Sequence, residues 1–404
     1  MNEEYEERLK AIQMYLDGAN ITDICNDLNR TRPWFYKWLN RYEIQGVEGL
    51  ESRSRAPLNV ANKTSPAIET EIVKIRGVLQ AGNSPETKYA HIGADSIQWE
   101  LERDGIIPVD NIPSTSTINR IIKRSNLSKP NRVPRRPSLP YPGPEVIEPN
   151  SVHQFDTIGP RFINGENGAE RFYCINLIDC FSKMTCKVIT ENIQGSTLLS
   201  FLINNVWSVI GIPQVLQVDN MLAFKGSNKY PRSISQIVKW CLYLGVEVLF
   251  IPVNEPQRNG FVERSNGNFD LKFFRAQKFN SLVGLREELE VYNNAVNIRY
   301  SNSTLKKHIH GARTPYEVHF MKEPRLLKNF KEAKEDLNNI KIPEGKISFI
   351  RFVKKDCKLS IFSEKFDLPR TFKYNYVRAT IDTGSQTLLI KGNNDVYEID
   401  YKMS

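Results

Sequence analysis

The sequence predicts a multidomain α and α/β protein ending in a small β-barrel, and three observations carry that expectation. Residues 3–45 and 66–125 repeat one plan, in which a capped helix follows a short helix and a turn. From residue 151 short apolar runs alternate with stretches of helical period, as in a layered α/β domain. After about residue 345 only short runs remain, divided by turn residues as in a small barrel. At 404 residues the chain exceeds one ordinary domain. Expected are helix-turn-helix domains over 1–58 and 62–128, a basic proline-rich linker over 129–150, a core over 151–325 and the barrel over 340–404.

In the first unit Glu4–Leu16 reads as a helix stopping at Gly18, a residue that tolerates the left-handed cap. Thr22 caps a short helix through Leu28, with Ile21, Ile24, Cys25 and Leu28 on one face. Thr31 caps a third helix, where Pro33 suits the first turn because the N–H it lacks needs no partner. Trp34, Trp38 and Tyr42 recur at helical spacing and face the core, leaving Arg32 and Lys37 outside. This is the plan of a helix-turn-helix, whose second member enters the major groove. It is equally the plan of a plain three-helix bundle.

The second unit reads as helices over Ile68–Gln80, Ala94–Arg103 and Thr117–Arg124, the last capped by Ser114 or Ser116. Asn119, Arg120, Lys123 and Arg124 on that helix are candidate DNA contacts, as are Arg32 and Lys37 on the first. Arg120, Lys123, Arg124, Lys129, Arg132, Arg135 and Arg136 form a basic run with no acidic residue among them. It leads into prolines at 130, 134, 137, 140, 142 and 144, an extended arm suited to tracking phosphates.

In the core, strands are expected at Val152–Ile158, Arg161–Asn164, Arg171–Asp179, Met184–Thr190, Gln214–Val218 and Val246–Ile251. Helices fall at Ser196–Ile210 and Ile234–Leu244, and a long helical stretch begins near Gln257. In the tail, strands fall at Lys346–Val353, Leu359–Phe362, Val377–Ile381, Thr387–Lys391 and Val396–Tyr401. Arg351, Lys354, Lys355, Lys358, Lys373 and Lys391 there suit non-specific DNA contact or subunit assembly rather than chemistry.

A formal charge of +9 suits a polyanionic partner, though only the placement of the charge makes that argument. The acidic start, Met1-Asn2-Glu3-Glu4, is unlike a signal peptide, and no apolar run approaches a membrane span. A cytoplasmic, nucleoid-associated protein is expected. Cys25, Cys174, Cys180, Cys186, Cys241 and Cys357 are scattered without metal-ligand spacing and read as reduced thiols.

The chemistry lies in three carboxylates. Asp156 closes the first core strand and Asp219 another, each exposed where an apolar run ends. Glu263 lies just inside a helix able to pack across that edge. Three such groups meeting at one point, within roughly 4–8 Å, repel unless cations neutralise them, and an all-oxygen site suits Mg²⁺ or Mn²⁺. Phosphodiester chemistry uses two such ions per active site. Asp179 and Glu255 are rival acids, read as a strand-end residue and a loop residue.

Residues 152–319 resemble the catalytic core of the DDE transposase and retroviral integrase superfamily. The resemblance rests on His153-Gln154-Phe155-Asp156, Val218-Asp219-Asn220 and Asn259-Gly260-Phe261-Val262-Glu263-Arg264. It continues through Tyr292–Arg299 and Arg313-Thr314-Pro315-Tyr316-Glu317, which are similar to the tail motif of insertion-sequence transposases. Gly46-Val47-Glu48-Gly49-Leu50 and Arg53-Ser54-Arg55-Ala56-Pro57, after the first helical unit, resemble the same elements. The resemblance implies an RNase H-like mixed sheet with Asp156, Asp219 and Glu263 as catalytic metal ligands. Asn220 and Asn259 would then support the site, and Arg264 would brace its helix or reach a phosphate. Two departures stand out: Met221 where relatives carry glycine, and an apparent insertion over Gly226–Ser235. No zinc signature of a retroviral integrase proper is present.

The function so implied is a DNA transposase that binds terminal inverted repeats, frees a 3′-OH and joins it to target DNA. Handling two ends implies a homodimer or higher multimer on DNA, and any accessory ATPase is unspecified. Two alternatives are a domesticated, non-catalytic DNA-binding protein of the same fold and a simple RNase H-like nuclease.

Overall fold

The computed structural model describes residues 3–52, 63–128, 139–165, 168–226, 232–302, 304–305, 313–392 and 395–403. It divides into two compact units, Met1–Thr64 and Ser65–Ser404. Outside the described residues lie the Arg53–Pro57 motif, much of the Gly226–Ser235 insertion, and Lys129, Arg132, Arg135 and Arg136 of the basic run.

The first unit holds α1 (Glu3–Leu16), α2 (Ile21–Asp27) and α3 (Arg32–Gln45). The cap of α2 is Asn20, not Thr22: its side chain accepts from the Thr22 N–H at 2.9 Å. Starting one residue early frees Asn20 to take the extended backbone a cap requires. Thr31 precedes α3 without a side-chain capping bond. Phe35, Trp38 and Leu39 fill the core with Ala11, Ile12, Ile24, Cys25 and Leu50. Trp34 and Tyr42 sit at its margin, so the buried stripe is displaced by one residue from the expected one. Arg32 and Lys37 are exposed. In the Gly46–Leu50 motif, a Cβ at Gly49 would lie 2.2 Å from the Arg41 carbonyl oxygen, so only glycine fits there.

The second unit opens with α4 (Pro66–Ala81), α5 (Ala94–Asp104) and α6 (Thr115–Arg124). Ser114, not Ser116, caps α6, accepting from Thr117 N–H at 3.3 Å. Ile118, Ile121 and Ile122 are buried, while Asn119, Arg120, Lys123 and Arg124 are exposed.

The sheet begins with the antiparallel β1 (Val152–Gly165), β2 (Gly168–Asp179) and β3 (Thr185–Thr190). The expected strands at 152–158 and 161–164 are one strand, interrupted by a register shift around Gly159-Pro160. Proline there has no N–H to give the ladder, and Gly159 takes a positive φ, so a bulge bends the strand without ending it. α7 (Gly195–Phe201), β4 (Val215–Val218), α8 (Leu222–Lys225), α9 (Gln236–Tyr243) and β5 (Glu247–Phe250) follow. Next come α10 (Gly260–Asn268), α11 (Leu282–Asn294), α12 (Pro315–His319) and α13 (Phe330–Asn339).

The tail forms β6 (Lys346–Phe352), β7 (Lys358–Ile361), β8 (Glu364–Asp367), β9 (Tyr376–Asp382), β10 (Thr387–Lys391) and β11 (Val396–Asp400). These strands do not pair into a barrel of their own. One nine-stranded sheet runs β11-β10-β9-β6-β5-β4-β1-β2-β3, with β7 and β8 a separate hairpin. β4 is parallel to β1, β5 to β4 and β6 to β5. β6 covers the edge that β5 would otherwise leave unpaired, and Phe349 stacks on Phe250 with ring centroids 4.8 Å apart. The half nearest β3 is a mixed sheet, as expected. β8 went unpredicted because Glu364-Lys365-Phe366-Asp367 is polar, and its turn uses positive φ at Phe362 and Ser363.

The Arg313–Glu317 motif proves to be a helix start. Thr314 and Glu317 form a capping box for α12, with Pro315 in its first turn. Arg313 pairs with Glu102 of α5, and Arg299 binds Glu100 of α5 through two bonds of 2.9 and 2.7 Å. Bidentate charged bonds of this kind are specific as well as strong. Arg299→Leu leaves the Glu100 carboxylate, 8% exposed, without its main partner. We expect roughly 1.5–3 kcal/mol less stability in urea denaturation. An unchanged midpoint would show that the pair does not tie α5 to the sheet domain.

Candidate active site

Buried amides place the three carboxylates. β1 and β4 are parallel neighbours with Gln154 opposite Gln217. Asp156 and Asp219 each lie two residues further on. Side chains two apart share a face, so both acids reach the same level of adjacent strands, about 4.8 Å apart. α10 crosses this end of the sheet and is pinned to it. Gln154 Oε1 accepts from the N–H groups of Phe261 and Val262, at 3.0 and 3.1 Å. Asn259 provides no side-chain cap of its own, so a strand residue satisfies N–H groups that a helix start leaves free. Gln217 Nε2 donates to Asn259 Oδ1 and to the Arg258 carbonyl, both at 2.9 Å. Asn259 Nδ2 donates to the Phe155 carbonyl at 3.2 Å. Sequence reading did not single out either glutamine. The available signal was a polar residue within an apolar strand, two positions before each acid.

Glu263 stands exposed in the first turn of α10, and Asn266 one turn later donates to Asp156 Oδ2 at 2.7 Å. Burial raises the Asp156 carboxyl to about 7; the Thr157 N–H and Asn266 oppose the rise, while the negative charges of Glu263 and Asp219 add to it. Burial likewise raises Asp219, against the bond from Met221 N–H. Glu263 and Asp219 therefore each lie within electrostatic reach of Asp156. They do not make a finished cage: among the described residues no group of three or more His, Cys, Asp or Glu could hold a metal ion as it stands. The oxygens are engaged locally, Asp156 Oδ1 by Thr157 N–H and Asp219 Oδ1 by Met221 N–H.

A hydrogen-bond chain runs beneath α10 from Asp156 to a buried cation. Register places Asp156 opposite Asn176 and Asn176 opposite Lys187, so the three share one face of the sheet. Lys187 donates to Thr185 Oγ1 at 2.8 Å, and Thr185 to Asn176 Oδ1 at 3.1 Å. Asn176 Nδ2 donates to Asn266 Oδ1 at 2.6 Å, and Asn266 donates to Asp156. Every donor points toward the carboxylate, so each bond polarises the next.

Beside Asp219, Asn220 Nδ2 donates to the Ile251 carbonyl at 2.8 Å, and its Oδ1 accepts from Arg351 Nη2 at 2.7 Å. Arg351 comes from β6 and is 9% exposed, with its pKa pushed down by burial to about 10. The tail residue expected at the surface is thus a buried brace, held in a strand that pairs on both sides.

The rival acids are committed elsewhere. Asp179 is fully buried and accepts from Asn150 N–H, Phe181 N–H and both the N–H and hydroxyl of Ser182. Burial works to raise it, but bonds and charge from His153, His319 and Ser182 hold it down at about 2. Glu255 pairs with Arg258 at 3.0 Å and accepts from the Tyr376 hydroxyl at 2.7 Å. Of the candidate DNA contacts, Arg32 binds Thr22 Oγ1 at 2.6 Å and Arg124 pairs with Glu69 at 2.6 Å. Lys37, Asn119, Arg120 and Lys123 are presented to solvent. Arg264 is exposed on the face of α10 next to the one bearing Glu263 and Asn266. The six cysteines are all free, and among the described residues no helix is long and apolar enough to cross a membrane.

Comparison with known proteins gives two kinds of match. Residues 2–51 and 34–122 match models of the homeodomain-like domain. Among solved structures, the chain is similar to a simian T-cell lymphotropic virus intasome in complex with PP2A regulatory subunit B56 gamma. That match has 16% identity, 76% of this chain and 96% of the other covered, and a TM-score of 0.34. It is also similar to the HTLV-2 integrase catalytic core domain in complex with magnesium, in dimeric and trimeric forms. There the identity is 18%, the coverage 43% of this chain and 99% of the other, and the TM-score 0.31. The N-terminal region of this chain is homeodomain-like, and it precedes a mixed-sheet core.

Proposed function

We propose that the chain is a DNA transposase of the integrase type, with Asp156, Asp219 and Glu263 as its catalytic carboxylates. One observation carries the reading. Asp156 and Asp219 follow paired positions of adjacent parallel strands under the helix that carries Glu263, and burial, with the charges of the other two acids added, raises Asp156 to about 7. The donor set is all oxygen and anionic, which fits Mg²⁺ or Mn²⁺. Two such ions would supply charge neutralisation at the phosphate, a more acidic attacking water and a stabilised leaving oxygen.

The remaining work belongs to the protein. Asn266 and Thr157 N–H hold Asp156 in one orientation, and the clamp on α10 keeps Glu263 on the helix that crosses the sheet. Glu263, exposed in the first turn, has room to turn toward the aspartates. Arg32 and Lys37 on α3, with Asn119, Arg120 and Lys123 on α6, would contact the terminal repeats, and two ends imply at least a dimer.

Asp156→Asn, Asp219→Asn and Glu263→Gln should each abolish Mg²⁺-dependent 3′-end nicking while leaving DNA binding intact. Near-normal strand transfer by any one of them removes that residue from the site. Lys123→Ala should weaken binding to all sequences and reduce the slope of log affinity against log salt by about 1. An unchanged slope would take α6 out of the interface.

The raised Asp156 also predicts the stability of the metal-free protein. Its folded pKa lies above the unfolded value, so its own contribution to stability is fully present below about pH 4 and is lost as pH rises from about 4 to about 7. In EDTA at pH 8, Asp156→Asn should therefore be more stable than wild type, on the order of 1–4 kcal/mol. Mg²⁺ should close that gap by stabilising only the wild type. A variant less stable than wild type in EDTA would show that Asp156 feels no net repulsion.

A further inference from the structure

Next to α10, between the helix and its neighbours α5 and α11, lies a cavity of about 360 Å³. Phe261, Arg264, Ser265 and Asn268 form its α10 wall, an i, i+3, i+4, i+7 stripe beside the one that carries Glu263 and Asn266. Lys187, 2% exposed, is its floor; Lys183 and Lys272 stand in its sides, and Phe261, 40% exposed, is at the rim.

The lysines have neutral direct partners. Lys187 donates to the hydroxyls of Thr185 and Ser265, at 2.8 and 2.7 Å. Lys272 donates to the Ala90 carbonyl at 3.1 Å and to His91 Nδ1 at 2.7 Å. Lys183 donates to the Cys180 carbonyl and lies 3.5 Å from the centre of the Phe261 ring. Burial pushes Lys187 and Lys272 down to about 8. Among the described lining residues Asp95 is the one carboxylate, and it accepts from Ser301 Oγ at 3.2 Å. The relay passes the charge of Lys187 toward Asp156. Lys183, Arg264 and Lys272 face the cavity against a single acid. As braces for backbone carbonyls, uncharged donors would serve equally well. Cations gathered in a half-enclosed space are costly unless an anion joins them.

We propose that this cavity is an anion site for one backbone phosphate of a DNA strand lying across α10. The inference rests on the reading of DNA as substrate and adds where the strand runs. A helix with its side chains is about 10–12 Å wide. The seated phosphate is therefore not the one at the carboxylates but lies a few linkages along the same strand. Phosphate at that spacing would fix the strand's direction over Asp156 and Asp219 before any metal is bound.

The test uses the full chain in EDTA with a generic duplex, so that no cleavage is needed. Lysine acetylation at pH 8, read by mass spectrometry, should show Lys183 and Lys272 protected at least threefold by DNA. Exposed Lys331 and Lys334 on α13 should stay reactive. The double variant Lys183→Met/Arg264→Met should lower the salt slope by about 1–2, and the control Lys331→Met/Lys334→Met should not. Normal DNA binding without protection, or with equal slopes for the two double variants, overturns the phosphate site and leaves the transposase reading standing. Absence of DNA binding by the wild type defeats both. Protection by inorganic phosphate but not by DNA would make the cavity a small-anion site and overturn the proposal.

Discussion

The site depends on how the start of one helix is fastened to a sheet. A helix leaves its first N–H groups without partners, and burying them unpaired carries a penalty of roughly 1–3 kcal/mol each. α10 begins over the ends of β1 and β4, where Asn259 and Val262 are buried. Gln154 answers two of those N–H groups, while Gln217 and Asn259 tie the preceding turn to both strands. The strand register therefore sets the helix register. Because Gln154 and Gln217 are partners, Asp156 and Asp219 are level, and because α10 starts where it does, Asn266 reaches Asp156 and Glu263 stands one turn before it. A buried amide network of this kind specifies one arrangement because every member has a partner.

That fastening allows the protein to keep an unfavourable charge arrangement. Asp156 is half-buried near two other acids, and the polarised chain from Lys187 offsets only part of the cost. The relay reaches Asp156 Oδ2 through three uncharged side chains instead of by a direct ion pair. A lysine placed directly on the carboxylate would neutralise it and compete with any cation. At four hydrogen bonds' distance the lysine can orient the group and leave it available. The same layer of polar residues separates the carboxylates from the cationic cavity, so opposite charges are held on two sides of α10 without collapsing onto each other.

Sequence reading proposed Asp156 and Asp219 because they end apolar strands, a local pattern that survives without knowledge of the fold, and Glu263 from its place just inside a helix. It proposed Asn220, Asn259 and Arg264 only by resemblance. It missed Gln154, Gln217 and Asn266, whose roles depend on which helix crosses which strand. Trp34 was placed inward in preference to Phe35 because aromatic spacing alone does not settle a helix's rotation against its neighbours. The tail was read as an independent barrel for a related reason. Short strands with regular turns specify antiparallel pairing among themselves, but the parallel pairing of β6 with β5 joins residues about a hundred positions apart.

That parallel pairing brings the tail into the site. Ile347, Phe349 and Ile350 are fully buried, and Arg351 extends from the same strand to the turn after Asp219. Its guanidinium donates to the Ile251 carbonyl beyond β5 and to Asn220, whose amide binds the same carbonyl. A rigid planar donor suits this triangle, since one group must satisfy two acceptors in fixed directions. Met221 follows at once, and its N–H goes to Asp219 Oδ1. The loop is thus held by its own Asp219 and Asn220 side chains and by Arg351 of β6. The second carboxylate takes its position from a β-strand that the sequence pattern had assigned to another domain.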